Sequence, residues 1–408
     1  MSETQIEQLP ENPNIGHLET QAMDLTRAGL YTSVADAQFA VARRYGFTSW
    51  SNLKSYVASL TNRSMGLQER AILEGDIPGL ERLLKSDPHF IHRVGFWVRR
   101  RRHNNYRPLA YAAYFGKTTA MEMFIRAGAD IHEGNERALR AAASSDENIA
   151  AAELLLKHGA NPNAVSVRNE GGFRIIDYPC MTLAPVMLRC LLSHGAELHP
   201  ACVGMILASN NRKPKEKSEC LEVAEAAGFK LPDSAPMAIH RRDKGRLATI
   251  LNQDRDLLQK RFSEAEIFPP EFEIDLPSKY AYVTPLTSGV SLLHMAVEFC
   301  DHETAAWLIE NGADPNALSR VGEDGSGGWT PLFHTVATLH VPRSFPELAA
   351  LLIRSGADPN IRASVKKPVG DGVYETYTDM TVLEYANAFK ETELVNQSAL
   401  QLVKSTLE

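Results

Sequence analysis

Six glycines close apolar runs along this 408-residue chain: Gly128, Gly159, Gly195, Gly228, Gly312 and Gly356. The first four step by 31, 36 and 33 residues. Self-similarity at such a period means a unit of one or two elements that cannot bury its own apolar face and must stack on copies of itself. Five segments share the template, starting at Arg107, Glu136, Met181, Ser291 and Thr330. Each has a short first helix with a small-residue face, as in Leu292–Ala296. A second helix ends in paired leucines, such as Leu155–Leu156 and Leu351–Leu352. Thr330–Pro331 reads as a helix start, because threonine caps and proline presets the first turn. The glycine supplies the left-handed residue that stops the second helix. The Pro-Asn that follows Gly-Ala-Asp turns the chain into a loop.

These features resemble an ankyrin repeat protein. The resemblance rests on TPL at Thr330 to Leu332, LLHMA at Leu292 to Ala296, and the glycine-led ends at Gly159, Gly312 and Gly356. It implies an all-α solenoid of helix-turn-helix units with hairpin loops. Weaker units start at Met65 and Met237, surround Gly228, and run from Met380 to Val403, so about nine units are expected from residue 65 to 405. Residues 1–62 do not repeat. They resemble the helical leader of bacterial ankyrin arrays, through Ala37-Gln38, Ala42-Arg43, Tyr45-Gly46-Phe47 and Ser49-Trp50 with Leu53-Lys54. A stripe of Ala35, Phe39, Val41–Ala42 and Tyr45 predicts a helix there, followed by one that buries Trp50, Leu53 and Tyr56. The expected organisation is a helical N-terminal cap over 1–62, repeats over 65–234, and repeats with long inserts over 235–408.

Composition sets limits. There are 43 Lys+Arg against 50 Asp+Glu, a formal net charge of −7, which offers no broad footprint for nucleic acid. No apolar stretch approaches the roughly 20 residues of a membrane span, and the polar start reads as no secretory signal. Five cysteines without a Cys-x-x-Cys pair fit thiols packed in a reducing cytoplasm, with no disulfide framework and no metal site.

Individuality sits in the loops. Five are longer than the template: Val94 to Tyr106, Val165 to Tyr178, Phe262 to Gly289, Ser319 to Gly328, and Ala363 to Asp379. In the ankyrin resemblance they project from one edge, beside a concave face of first helices. They hold aromatic residues, which supply contact area at low entropic cost. Arg99 to Arg102 form a basic run, and Glu264, Glu266, Glu271, Glu273 and Asp275 an acidic one. The arginines suit an anionic ligand or acidic peptide. They also suit an internal latch to the acids, or a solvated rim.

Catalytic motifs are absent. His294 occupies the histidine of the TPLH-like motif, a structural position in the resemblance. His334 comes one position later and is expected to tend toward the concave surface. His103, His240, His334 and His340, with carboxylates such as Glu298 or Glu384, form an acid–base pocket only if the inserts fold over. The expected function is recognition of a partner, a protein or peptide, on a concave face roofed by the inserts. The alternative is an enzyme or small-molecule binder that uses the same inserts without cofactor or metal. Expected binding residues are Trp97, Arg99, Arg101, His103, Tyr106, Phe268, Tyr280, Tyr282, His294, Trp329, His334 and Tyr374, with His103 and His334 as the catalytic candidates.

Overall fold

The computed structural model describes residues 9, 15–31, 33–45, 47, 49–60, 67–94, 96–97, 105–166, 172–273, 289–337, 345–370, 373–388 and 395–407. Three helices lead: α1 (Ile15–Arg27), α2 (Val34–Arg44) and α3 (Trp50–Leu60). Nine helix pairs follow among the described residues. They are α4 (Leu67–Glu74) with α5 (Ile77–Ser86), α6 (Pro108–Tyr114) with α7 (Thr118–Arg126), α8 (Glu133–Ala142) with α9 (Ile149–Lys157), and α10 (Asp177–Thr182) with α11 (Pro185–Ser193). Then come α12 (Pro200–Ala208) with α13 (Pro214–Ala226) and α14 (Ala235–His240) with α15 (Lys244–Gln253). A short insert helix, α16 (Glu264–Ile267), precedes α17 (Leu292–Glu298) with α18 (His302–Glu310), α19 (Phe333–Val336) with α20 (Phe345–Arg354), and α21 (Val382–Ala388) with α22 (Gln397–Leu407). The chain forms two compact units: Met1–Pro179 with Val186–Glu197, and Cys180–Pro185 with Leu198–Glu408.

The pairs form for the reasons read from the template. In α6 every residue from Pro108 to Ala113 is buried, and three of them are alanines that let a neighbouring helix approach. Its partner α7 buries a stripe of Ala120, Met121 and Phe124. Aspartates cap several second helices: the Asp243 carboxylate accepts from Arg246 N at 2.8 Å, and Asp76 from Gly79 N at 2.9 Å. At the far end of α18 the glycine stop closes two hydrogen bonds, Gly312 N to Ile309 O at 2.9 Å and Ala313 N to Leu308 O at 2.9 Å. Gly312 sits at φ +96° and Gly356 at φ +92°.

The asparagine after Gly-Ala-x-Pro has a defined task at two of its three occurrences. Asn163 Nδ2 donates to Gly195 O at 2.7 Å, and its Oδ1 accepts from Glu197 N at 3.1 Å. Asn316 repeats this on Gly356 O at 2.8 Å and Asp358 N at 2.7 Å. One side chain thus satisfies a carbonyl and an amide at the helix stop of the following repeat.

The leader packs on the first repeats. Ser33 caps α2 and Ser49 caps α3, through Asp36 N at 3.1 Å and Asn52 N at 2.9 Å. Tyr56 donates to Glu74 at 3.0 Å. The Lys117 ammonium lies 4.6 Å over the Phe47 ring, and burial pulls its pKa down to about 8. The stripe on α2 differs from the expected one. Ala37, Gln38, Val41 and Ala42 are buried, whereas Phe39 is exposed beneath the Arg43 guanidinium at 5.6 Å.

Among the described residues, three of the five long loops contain paired strands. β1 (Phe96–Trp97) pairs antiparallel with β2 (Asn105–Tyr106), β3 (Val165–Ser166) with β4 (Phe173–Arg174), and β5 (Ala363–Gly370) with β6 (Val373–Met380). In the second unit neighbouring loops also bond to one another. Phe262 bridges Val290, Arg320 N donates to Gly289 O at 2.8 Å, and Gly327 and Ser364 exchange bonds of 2.7 and 3.0 Å. All five cysteines are free thiols, four of them buried. Among the described residues no helix is long and apolar enough to cross a membrane.

An added Cβ at Gly312 would meet nothing within 4 Å, so a substitution there tests the backbone alone. Gly312→Val is expected to cost about 1 kcal/mol or more, from a β-branched residue held at positive φ. The measurement is the denaturant midpoint of the full chain. An unchanged midpoint would show that the left-handed stop carries no stability.

Candidate functional site

The repeat built from α19 and α20 departs from its neighbours. Its first helix, Phe333–Val336, is one turn long. Ala337 then turns extended at φ −142° and ψ 127° and bridges Val395, while Asn396 N donates to Val336 O at 2.9 Å. A helix cut this short leaves most of its backbone N–H and C=O groups to be satisfied from outside the helix.

His334, on that turn, is fully buried. Its Nδ1 lies 2.5 Å from Glu298 Oε2, and the other carboxylate oxygen of Glu298 pairs with the Arg212 guanidinium. The side chains of Arg212 and Glu298 are 2% and 1% exposed. His334, expected to tend toward the concave surface, is instead buried, turned by the irregular helix onto the last residue of α17. With Glu298 ion-paired to Arg212, the carboxylate is an acceptor and His334 Nδ1 carries the proton toward it. His334 Nε2 is left buried without a hydrogen-bond partner among the described residues.

Two further histidines border this pair. The His294 ring stands edge-on to that of His334, with centroids 5.6 Å apart. Its Nδ1 meets Ser291 Oγ at 2.8 Å and its Nε2 meets Trp329 O at 3.0 Å, so it links its own repeat to the next. Burial, then the neighbouring His334 and Arg261, push its pKa well below the usual imidazole range. His240 bonds Ile267 O at 2.9 Å through Nε2, and burial followed by Lys217 likewise lowers its pKa well below 6.5. Its ring packs 4.8 Å from Phe299 and 5.8 Å from Phe268.

Lys217 completes the cluster. It is 2% exposed, donates to Leu207 O at 2.9 Å, and sits 3.9 Å over Phe299. Burial first, and Arg212 second, lower its pKa well below that of a free lysine, against a weaker pull upward from Glu298. Sequence reasoning missed Arg212 and Lys217. Lys217 had a signal: Cys220, Leu221 and Ala224 form the buried stripe of α13, and one turn back that stripe lands on Lys217. Arg212 had none, since it lies in the polar run NNRKPKEK.

Of the expected binding residues, Phe268, His294, Trp329 and His334 are buried in or beside this cluster, and Tyr106 is buried against Tyr114 at 6.3 Å. Trp97 and Tyr374 lie on β1 and β6. Arg99, Arg101, His103, Tyr280, Tyr282 and His340 lie outside the described residues, as does the rest of the arginine run. Of the acids, Glu266 is paired with Lys260 at 2.7 Å, and Glu384 is paired with Arg362 at 3.0 Å, away from any histidine named here.

Comparison with known proteins agrees with the repeat reading. Residues 69–166 match the family model for ankyrin repeats in three copies, and residues 293–353 match that for ankyrin repeats in many copies. The fold of the helix pairs is the ankyrin-repeat fold. No curated protein sequence matches the chain. Among solved structures, the human ASB11 ankyrin repeat domain is similar at 18% identity over 73% of this chain and 98% of that one, with a TM-score of 0.31. The ankyrin repeat domain of Bcl-3, of the IkappaB protein family, is similar at 18% identity over 74% and 100%, with a TM-score of 0.25.

The two depressed imidazoles set a direction for pH dependence. His240 and His294 stay neutral when folded, while the unfolded chain binds protons from about pH 6.5 downward. Stability from these groups is full above pH 6.5 and is lost as pH falls below it, at about 1.4 kcal/mol per pH unit per imidazole. Thermal melts from pH 8 to pH 5 are expected to show this loss, and His240→Gln to reduce its slope. A slope that the substitution leaves intact would assign the loss to other groups.

Proposed function

We propose that the protein is a recognition scaffold whose partner, another protein, docks on the hairpin edge and the adjoining first helices. One observation carries this reading. Leu318 and Val321 are 45% and 58% exposed on a loop that is hydrogen-bonded to the loops on both sides. A loop that only connected two repeats would gain nothing from exposing such residues while its backbone is held. Val94, Val165 and Phe173 are exposed on the long loops of the other unit. Ankyrin repeats generally mediate contacts between proteins, which supports a protein as the partner. The arginine run at 99–102 adds a preference for an acidic partner segment.

The test is site-specific photo-crosslinking in cells. A photoreactive amino acid at Val321 is expected to trap a discrete protein partner, and one at the exposed Glu222 on α13 is not. Leu318→Ser should abolish that product while leaving the melting temperature within a few degrees. Equal trapping at both positions, or none at either, would sink the hairpin-edge reading.

We infer also that residues 1–62 cap the array, because Tyr56 and Phe47 engage Glu74 and Lys117 of the first two repeats. Deleting them is expected to lower the melting temperature and promote association through the uncovered face. A monomeric truncation with an unchanged melting curve would make the segment a free docking module instead.

A further inference from the structure

The hairpin β5–β6 has two edges, and the protein treats them differently. Ser364 on β5 exchanges bonds of 2.7 and 3.0 Å with Gly327, so its N–H and C=O point away from β6. That direction alternates along a strand. Lys366 and Pro368 therefore also point away, and the residues across from them, Thr376 and Tyr374, turn their N–H and C=O outward from β6. Val365 and Lys367, with Tyr377 and Glu375 opposite, hold the ladder between the strands. The outer edge of β5 is closed. Gly327 occupies Ser364, Lys366 Nζ reaches Asp324 on the same neighbouring loop at 2.9 Å, and Pro368 has no N–H to offer.

A covering loop, a lysine and a proline are three means of blunting a sheet edge. β6 has neither of the two residue types: Val373–Met380 reads VYETYTDM. Among the described residues no hydrogen bond reaches the outward backbone groups of Tyr374 or Thr376. The strand is fixed through its other face. Tyr377 is buried with its ring 5.3 Å from that of Tyr385 on α21, and Val365 is buried across from it. Thr376 and Thr378 are exposed. A fixed strand with a bare edge matches one kind of ligand, another extended backbone whose amides and carbonyls alternate at the same spacing.

We propose that β6 is the docking edge for an extended segment of the partner protein, which adds to the hairpin as a third strand. This deepens the recognition reading and rests on it for the choice of a protein partner. Main-chain bonds to Tyr374 and Thr376 hold the segment, and its β-branched or aromatic side chains pack beside Thr376 and Thr378. The segment has no proline where it must donate to the edge. A second copy of this chain fits less well. Paired so that Tyr374 meets Thr376, it sets Glu375 against Glu375. One short edge also supplies little of the roughly 1,200 Å² that stable association of two folded proteins buries.

The experiment pans a phage library of short random peptides on the full chain, with the Thr376→Pro chain used to subtract binders of other surfaces. The ladder takes no bond from the Thr376 N–H, so the substitution spares the hairpin and blocks only the outer edge. A selected peptide, made synthetically, is expected to bind Thr376→Pro about tenfold more weakly or worse. Thr376→Ala keeps the N–H and should change its affinity by no more than about twofold. Hydrogen exchange on the unmodified chain should show the Tyr374 and Thr376 amides slowed about tenfold or more by the peptide. Should Thr376→Pro misfold, the library is panned without subtraction and the exchange measurement decides alone. Selection of no peptide, undiminished binding to a folded Thr376→Pro chain, or unslowed Tyr374 and Thr376 amides would each overturn the proposal. A dimer in sedimentation that Thr376→Pro dissolves would give the edge to a second copy and overturn it too. The crosslinking at Val321 stands apart. A partner trapped there with no pairing at β6 sinks only this inference, and pairing at β6 with no trapping at Val321 sinks only the earlier one.

Discussion

Each pair of helices in this protein has more apolar surface than it can bury by itself, and everything else follows from that shortage. A helix of seven residues such as α6 buries nearly all of its length only because alanines allow neighbours within reach. Stability is therefore shared along each unit. The glycine stops, the aspartate caps and the asparagine braces at Asn163 and Asn316 serve the stacking. They bring consecutive pairs into one register, and they leave few backbone groups unpaired where the chain reverses.

That logic is local, which is why the repeats were legible. A glycine at the end of a leucine pair, or a proline after a threonine, acts within one turn of itself. The nine pairs lie where the weak and strong matches to the template predict them. The α2 stripe was misjudged at Phe39 because periodicity finds a face without saying which of two adjacent faces is covered. The cluster around His334 was legible only in part. Glu298 and His334 were candidates as an acid–base pair by residue type, yet their contact spans 36 positions and depends on a helix that stops after one turn. Nothing in the residues Phe333 to Val336 announces that stop. Where the helix ends, Ala337 pairs with Val395, a distant point of the chain.

The cluster also runs against the general economy of the fold. Buried Lys217, neutral His240 and neutral His294 all weaken the folded state as pH falls, and apolar side chains of similar size would not. A regular repeat has no need of them. Their concentration next to the one irregular first helix suggests that regularity and stability were given up together at a single place.

The loops of the second unit show a different division of labour. Arg320 meets Gly289, and Gly327 meets Ser364, through main-chain atoms. Amides and carbonyls belong to every residue, so these joints do not depend on which side chains the loops display. Substitutions at positions such as Leu318 and Val321 can accumulate without loosening the ribbon that carries them. Under the proposed docking on these loops, the partner can change over evolutionary time while the framework stays the same.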